Sequence, residues 1–186
     1  AGTVGTALPG VDMKITNPDT GETVADGDIG QIEVRGPNVF IGYWNMPEKT
    51  REELREDGFF ITGDLGRIDE HGYLQIVGRN KDLIISGGYN IYPKEIELVL
   101  DEQPGVLESA VVGAPHPDFG ESVIGILVAD GSQPVDLDAI EANLGKTLAR
   151  FKQPRKLILV ESLPRNTMGK VQKNILRDEF GSTFEC

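Results

Sequence analysis

Hydrophobic and polar residues alternate in short runs through the first 78 residues of the chain. These runs, of which residues 11–15 and 31–35 are examples, are separated by turn-forming residues, and the pattern predicts half-buried antiparallel strands. Residues 59–62 and 73–77 predict the two arms of a longer hairpin. This part of the chain is therefore predicted to be rich in β-structure.

Apolar residues take helical spacing at several further places. A short charged helix is predicted at residues 47–56, because Pro47 is tolerated in a first turn. Two later helices are predicted to begin at Pro93 and after the N-cap residue Asp136. Their apolar faces consist of Ile96, Val99 and Leu100 in the first and of Leu137, Ile140, Leu144 and Leu148 in the second. A terminal helix is predicted after Lys170.

Strands alternate with these helices after residue 78. A hairpin is predicted to turn at Gly87-Gly88, between residues 83–86 and 89–91. Further strands are predicted at residues 109–113, 122–129 and 156–160, with a proline-bounded loop at residues 115–117 between the first two.

This change of pattern divides the chain near residue 79. We predict the α+β class, with a β-rich subdomain at residues 1–78, a compact α+β domain at residues 79–180 and a tail at residues 181–186. The chain opens on alanine instead of methionine, and we expect it to be a piece of a longer protein.

The formal net charge is −12, but the basic residues are concentrated in one stretch. Residues 146–177 hold nine of the 18 Lys and Arg residues and a single acidic residue, Glu161. The acidic balance argues against binding to nucleic acid or to an anionic membrane. No run of about 18 apolar residues and no signal-peptide pattern is found. We therefore expect a cytoplasmic protein, in which the lone Cys186 is an incidental tail thiol.

Two groups suited to a nucleotide lie in the first part of the chain and at the predicted boundary. Residues 62–64 are predicted to close a strand and present the Asp64 carboxylate, whose two oxygens can accept both hydroxyls of a ribose. Arg79 offers a planar fork of donors for a ribose or phosphate oxygen. Each also has an ordinary structural explanation, as a turn aspartate that bonds its own backbone and as a solvated charge.

Lys170 follows Gly169 in a loop that begins near Pro164. An ammonium on a long stem can stabilise negative charge shared between a carboxylate oxygen and a phosphate. Most lysines, however, are merely solvated. Gly87-Gly88 likewise fits either a plain hairpin turn or the close approach of a ligand.

Other kinds of site are not expected. Pro164 and Val171 replace the glycine and the hydroxyl residue that a phosphate-cradling loop around Lys170 would need. His71 and His116 lie far apart in the sequence without neighbouring cysteines, so we assign no zinc site and no other metal ligand. No Gly-x-Ser-x-Gly elbow is present. The sequence therefore gives no support to a hydrolase or a metalloenzyme.

Three motifs occur together in the order and spacing of one known superfamily. They are Thr62-Gly63-Asp64-Leu65; Gly78-Arg79-x-Lys81-Asp82-x-Ile84 with Gly88 and Pro93-x-Glu95-Ile96-Glu97; and Pro164-Arg165-x-x-x-Gly169-Lys170. Up to about Phe180, the chain resembles the C-terminal part of the acyl-adenylate-forming superfamily, which includes acyl-CoA synthetases, luciferases and peptide-synthetase adenylation domains. The resemblance implies that residues 1–78 are the end of the large N-terminal adenylation domain and that residues 79–180 are its mobile C-terminal lid domain.

The resemblance also implies a role for each candidate residue. Asp64 would hold the ribose hydroxyls of ATP and then of the acyl-adenylate, with Arg79 assisting. Lys170 would bridge the acyl carboxylate and the α-phosphate while pyrophosphate leaves. Lys81 would be the hinge about which the C-terminal domain rotates between half-reactions. After that rotation Gly87-Gly88 would face the pantetheine channel of coenzyme A.

The same resemblance implies a function for the basic residues of 146–177, because coenzyme A carries several phosphates. We expect contacts with these phosphates among Arg150, Lys152, Arg155 and Lys156. ATP would bring Mg²⁺, whose protein ligands are expected outside these 186 residues. An exposed Lys170 would also be open to a lysine acetyltransferase, which would remove the charge that adenylation needs.

Within the superfamily, residues 36–44, 115–121 and 163–173 look most like the malonyl-CoA synthetases, so malonate is the expected carboxylate. A fatty- or aryl-acyl-CoA synthetase, an adenylation module that loads a carrier protein and a non-catalytic binding module remain alternatives. The superfamily's Thr/Ser/Gly-rich phosphate loop is absent from these residues. We therefore expect the N-terminal domain of the same enzyme to be required, and residues 1–186 alone to release no pyrophosphate from ATP.

Overall fold

The computed structural model describes residues 2–184, so Cys186, predicted to be a tail thiol, lies outside the described residues. The chain divides into two compact units, Ala1–Lys81 and Asp82–Cys186. The sequence places this boundary at residue 78. A β-rich unit followed by a unit of mixed strands and helices confirms the predicted α+β class.

The described residues of the first unit form a four-stranded antiparallel sheet. Its strands, in both sheet and chain order, are β1 (Asp12–Thr16), β2 (Gly30–Arg35), β3 (Phe60–Ile68) and β4 (Leu74–Arg79). Side chains alternate between the two faces of a strand, and the buried core consists of Ile15, Ile32 and Leu74. The prediction of antiparallel strands in this region is confirmed.

Helix α1 spans Pro47–Glu53, with proline in its first turn as predicted, but it ends before residue 56. Leu54 is already extended and forms an isolated antiparallel bridge with Phe60. Because the chain joins the start of β3 at this point, the helix cannot continue.

Strand β3 runs well beyond the predicted arm at residues 59–62 and continues through Asp64. The prediction that residues 62–64 close a strand is therefore wrong. The pairing of β3 with β4 shifts register between Leu65 and Gly66, which places a bulge next to Asp64. The residue that the shift skips is Val77 of β4, and Asp64 itself stays in register with Arg79.

The second unit is a mixed sheet with helices on both faces. Its strands are β5 (Ile84–Ser86), β6 (Tyr89–Ile91), β7 (Val106–His116), β8 (Gly120–Ala129) and β9 (Lys156–Val160). The sheet order is β6-β5-β8-β7, and β9 pairs parallel with β8. Its helices are α2 (Pro93–Asp101), α3 (Leu137–Thr147) and α4 (Lys173–Phe180).

Local signals begin α2 and α3 where the sequence predicts them. Pro93 occupies the first turn of α2, and the helix buries Ile96 and Leu100. The Asp136 carboxylate accepts a hydrogen bond of 3.0 Å from the backbone N–H of Ala139, which caps α3. The predicted helix starts and apolar faces are confirmed.

Strand β8 is buried on both faces, which is why its sequence is an almost continuous apolar run. One face contributes Val123 and Leu127 to a cluster with residues of α2 and α3. The other face contributes Ile124 and Ile126 to a second cluster with Leu176 of α4. The second unit therefore has a core layer on each side of its sheet.

The predicted loop at residues 115–117 is wrong in part. Pro115 and His116 belong to β7, and the turn to β8 lies at residues 117–119. Strand β7 is at the edge of the sheet, where the missing N–H of proline costs no ladder hydrogen bond. In the predicted tail, Phe184 packs against the second cluster, so the described tail residues belong to the packed unit. Within residues 2–184, no helix has the length and apolar character needed to cross a membrane.

Candidate active site

Asp64 and Arg79 face each other across the β3–β4 pair. The guanidinium Nε of Arg79 lies 2.9 Å from Asp64 Oδ1, and its Nη1 donates to the backbone oxygen of Thr62 at 3.3 Å. The Asp64 backbone N–H donates to the Thr62 hydroxyl at 3.1 Å. The Thr62 hydroxyl therefore holds the backbone of Asp64, and its strand partner Arg79 holds the carboxylate.

Asp64 and Arg79 still have hydrogen-bonding atoms that the ion pair does not use. A carboxylate has about four acceptor sites and a guanidinium five N–H donors. Among the described residues, Asp64 Oδ2 and Arg79 Nη2 make no hydrogen bond. The Asp64 side chain is 26% exposed and that of Arg79 is 51% exposed. The pair can therefore offer both an acceptor and a donor to a polar ligand such as a vicinal diol.

Lys81 is the last residue of the first unit and is exposed, within a 3₁₀ turn at Asn80–Asp82. Asp82, the first residue of the second unit, accepts a 3.0 Å hydrogen bond from Arg177 of α4. This ion pair holds Asp82, the residue that follows Lys81, against α4 of the second unit.

Gly87 and Gly88 form the two-residue turn between β5 and β6, which confirms the predicted hairpin. Both have positive φ angles, 56° and 81°, which non-glycine residues adopt only with strain. The backbone N–H of Gly87 donates to the oxygen of Phe119 at 2.9 Å.

A cleft of about 530 Å³ opens beside this hairpin in the second unit. Its lining includes Gly87, Arg150 and Arg155, together with the aromatic residues Tyr89, Phe119 and Phe151. The rings of Tyr89 and Phe151 stack with centroids 4.6 Å apart. The Arg155 guanidinium lies 4.4 Å from the centroid of the Phe119 ring. The cleft thus combines flat apolar surfaces with two permanent positive charges, which suits a ligand with an aromatic ring and phosphates.

The four basic residues proposed for coenzyme A phosphates are not in one place. Arg150 and Arg155 line the cleft. Lys152 instead forms an ion pair with Glu95 of α2, with its Nζ 2.7 Å from one carboxylate oxygen. Lys156 is exposed on β9, where it pairs with Ile124, and it is not part of the cleft lining.

Lys170 lies at the end of a tight loop, with its side chain exposed. The Asn166 side-chain oxygen accepts hydrogen bonds from the backbone N–H groups of Lys170 and Met168, at 2.9 and 3.0 Å. The backbone N–H of Asn166 donates to the oxygen of Lys170 at 2.9 Å. Both backbone polar atoms of Lys170 are therefore held by Asn166, while the residue itself is exposed.

Arg165 ties this loop to the sheet. Its Nη1 donates to the oxygen of Gly169 at 2.5 Å, and its Nη2 forms an ion pair with Glu108 of β7. After the loop, Lys173 pairs with the nearly buried Glu97 of α2 at 2.6 Å. The loop that presents Lys170 is anchored on both sides.

The sequence interpretation missed the residues that do this anchoring and the aromatic lining of the cleft. Asn166 stands at an unspecified position of the third motif, and its place four residues before Lys170 is typical of a side chain that bonds the following backbone. Phe151 stands between Arg150 and Lys152, and an aromatic residue among basic ones was an available signal. Glu108 gave no signal, because its partner lies 57 residues away in the sequence.

The chain belongs to the AMP-binding enzyme family. The AMP-binding enzyme model matches residues 1–44, and the model of the AMP-binding enzyme C-terminal domain matches residues 95–170. This confirms the resemblance drawn from the three motifs.

The similar proteins agree with this assignment. A malonate–CoA ligase from Arabidopsis thaliana is 45% identical over 95% of this chain and 30% of its own length. A putative acyl–CoA ligase from Bacillus subtilis is 41% identical over 96% of this chain and 35% of its own length. The crystal structure of ATP-bound MatB from Rhodopseudomonas palustris has a TM-score of 0.94 and 58% identity, covering 99% of this chain and 37% of that one. The chain thus spans about a third of the length of these relatives.

Proposed function

We propose that this chain is the C-terminal part of an ATP-dependent, AMP-forming acyl-CoA synthetase. The observation that carries the proposal is the presentation of Lys170: its backbone is locked by Asn166 and its side chain is exposed. A fixed loop that holds out one unconstrained ammonium suits a lysine that neutralises charge on a substrate.

The first half-reaction joins the carboxylate to ATP. The carboxylate oxygen attacks the α-phosphorus, the bond to the β-phosphate oxygen breaks, and pyrophosphate leaves. In this proposal Lys170 bridges the carboxylate and the α-phosphate, where negative charge develops in the transition state. The unused Asp64 oxygen accepts from the ribose hydroxyls, and Arg79 holds Asp64 and donates to the same sugar. ATP would carry Mg²⁺, and we assign it no ligand in this chain.

The second half-reaction transfers the acyl group to coenzyme A. We assign Lys81 as the hinge of a domain rotation between the two steps, and its position at the boundary of the compact units supports this. The Gly87-Gly88 turn would then face the pantetheine chain. The adjoining cleft supports nucleotide binding by Arg150 and Arg155, whereas Lys152 is engaged by Glu95 and Lys156 lies elsewhere.

Malonate is the carboxylate that we propose. The support is the similarity of residues 36–44, 115–121 and 163–173 to malonyl-CoA synthetases, and the 45% identity to the malonate–CoA ligase of Arabidopsis thaliana. A fatty-acid or aryl substrate is the alternative, since a long-chain-fatty-acid–CoA ligase of Mycobacterium tuberculosis is 40% identical and an indoleacetate–CoA ligase of Aromatoleum aromaticum is 42% identical.

The test is to assay the full-length enzyme for carboxylate-dependent pyrophosphate release with malonate, methylmalonate, acetate and octanoate, and to measure acyl-CoA separately. Preference for malonate with both products is the expected result. Preference for octanoate would reject malonate but keep the class. Pyrophosphate release without any acyl-CoA would favour an adenylation module that serves another thiol acceptor.

Acetylation of Lys170 is a further proposal about this site. Its exposure supports access by a lysine acetyltransferase, and loss of the positive charge would stop adenylation. Enzyme carrying acetyl-lysine at position 170 should therefore release no pyrophosphate above background. Release at the unmodified rate would reject this regulation.

A further inference from the structure

The Gly87-Gly88 hairpin is attached to the rest of its sheet by few backbone contacts. Its strands β5 and β6 have three residues each. The pairing of β5 with β8 consists of one register pair, Ser86 with Gly120. The hydrogen bond from Gly87 N–H to Phe119 adds a second attachment at the turn itself. Ile84 and Ile91 bury the apolar side of the hairpin in the core, but the backbone of so short an edge hairpin needs further support to hold a fixed position.

The side chain of Glu121 provides this support. Its Oε2 accepts a hydrogen bond of 2.8 Å from the backbone N–H of Ile85, in the middle of β5. Glu121 lies next to Gly120 at the start of β8, so a side chain takes the place of the backbone acceptor that a longer ladder would supply. Hydrogen bonds to an ionised acceptor are the stronger kind in proteins.

Strand β7 leaves room for this carboxylate. A Cβ atom added at Gly113 would lie 2.8 Å from Glu121 Oε1 and 3.1 Å from its carboxyl carbon. The carboxylate is the flexible end of its side chain, so a side chain at residue 113 would displace it. The same Cβ atom would also lie 3.2 Å from Cγ2 of the buried Ile84 in β5. The Glu121 carboxylate of β8 therefore lies between Gly113 of β7, which leaves space for it, and Ile85 of β5, which donates a hydrogen bond to it.

We propose that Glu121 is a positioning residue for the transfer of the acyl group to coenzyme A, acting through the Gly87-Gly88 hairpin. This inference rests on the proposed function. In that step the thiol sulfur bonds to the acyl carbon and the bond from that carbon to the AMP phosphate oxygen breaks. AMP leaves with the electron pair, and the thiol proton passes to water. Glu121 touches none of these atoms, and it fixes the backbone that lines the thiol's approach.

The inferred role is specific to one half-reaction. Lys170 is held by Asn166, and its loop is held by Arg165 and Glu108. Glu121 contributes no hydrogen bond to that loop among the described residues. Loss of the Glu121 hydrogen bond should therefore slow acyl transfer and leave adenylation intact, whereas general damage to the unit would slow both.

The experiment compares Glu121→Ala, Glu121→Gln and Gly113→Ala in the full-length enzyme, with Glu141→Ala on the exposed face of α3 as the matched control. Pyrophosphate release reports the first half-reaction, and conversion of supplied acyl-adenylate to acyl-CoA reports the second. We expect Glu121→Ala to slow the second step about tenfold, the effect of losing one hydrogen bond to a charged group. Glu121→Gln keeps an oxygen that can accept from Ile85, and it should retain most of the parent rate.

Gly113→Ala provides a second test, because it displaces the carboxylate without removing it, and it also crowds the Ile84 side chain of β5. Its defect should be at least as large as that of Glu121→Ala, and the double variant should be no worse than Gly113→Ala alone. Acyl transfer at the parent rate in Glu121→Ala, or equal loss in both half-reactions, would overturn the inference. If the parent enzyme made no acyl-adenylate at all, the proposed function would fail instead, and the two failures are therefore distinguishable.

Discussion

Asp64 and Arg79 occupy opposite positions in the β3–β4 ladder, and their side chains form an ion pair of 2.9 Å. Arg79 also donates a hydrogen bond to the backbone oxygen of Thr62, which holds its guanidinium in place. The guanidinium in turn fixes the direction of the Asp64 carboxylate. One oxygen of Asp64 is thus paired with Arg79, and the other makes no hydrogen bond among the described residues.

Asp64→Ala should raise the KM for ATP about tenfold or more, because it removes a charged acceptor of the ribose hydroxyls. Arg79→Lys should give a smaller increase, because a lysine cannot bond Asp64 and Thr62 with one planar fork. Steady-state pyrophosphate release at varied ATP measures both effects. The control is Asp26→Asn, an exposed aspartate in the same unit. An unchanged KM in Asp64→Ala would show that this carboxylate is only structural.

Asn166→Ala should slow adenylation, because the backbone N–H groups of Met168 and Lys170 would lose their acceptor and the loop would become less ordered. Asn166→Asp retains an oxygen in the same place and should be much less affected. Single-turnover pyrophosphate release distinguishes the two variants. Equal rates for Asn166→Ala and the parent would show that the Asn166 hydrogen bonds are not needed for adenylation.

Substitutions of the four basic residues should differ in their effect on the KM for coenzyme A, according to whether the residue lines the cleft. Arg150→Ala with Arg155→Ala should raise the KM for coenzyme A and weaken its dependence on salt, since both residues line the cleft. Lys156→Ala should leave that KM unchanged. Lys152→Ala should lower the melting temperature, because it breaks the ion pair with Glu95, and it should change the KM for coenzyme A little. A larger KM effect from Lys156→Ala than from the arginine pair would contradict the assignment of the cleft.

A buried carboxylate in the first unit predicts how stability depends on pH. The side chain of Glu33 is fully buried and accepts hydrogen bonds from both Nε and Nη2 of Arg55, at 2.8 and 2.6 Å, and from the Thr16 hydroxyl at 2.7 Å. Burial by itself raises the pKa of Glu33, but these bonds and the charges of Arg55 and Lys14 outweigh burial and bring the pKa below its usual 4.5.

A carboxylate with a lowered pKa stabilises the folded state above its unfolded pKa and loses that contribution as the pH falls through the folded value. The melting temperature of the full-length enzyme should therefore drop steeply below pH 4.5, and less steeply in Glu33→Gln, which starts from a lower stability. The matched control is Glu22→Gln at an exposed position. Parallel curves for the parent and Glu33→Gln below that pH would reject this role.

Local features were predictable from the sequence. The proline that opens α2, the aspartate that caps α3 and the two glycines of the β5–β6 turn each act through residues within a few positions, so their effect depends on local sequence alone. The three motifs also singled out Asp64, Arg79 and Lys170, whose roles stay predictions.

Contacts between distant segments were not predictable in the same way. The bulge next to Asp64 depends on the register of β3 and β4, which no single segment specifies. The separation of Arg150 and Arg155 from Lys152 and Lys156 depends on how α2 and β9 pack around them. The bond from Ile85 to Glu121 joins residues 36 positions apart. These are tertiary relationships that alternation and spacing do not encode.

The catalytic role of Lys170 is tested most directly by Lys170→Ala in the full-length enzyme, compared with Lys146→Ala at an exposed lysine of α3. Carboxylate-dependent pyrophosphate release and the conversion of supplied malonyl-adenylate to malonyl-CoA are measured separately. We predict that Lys170→Ala slows adenylation about a hundredfold or more and retains acyl transfer, while Lys146→Ala retains both. Adenylation at the parent rate in Lys170→Ala would reject this catalytic role and leave Lys170 as a solvated lysine on a well-ordered loop.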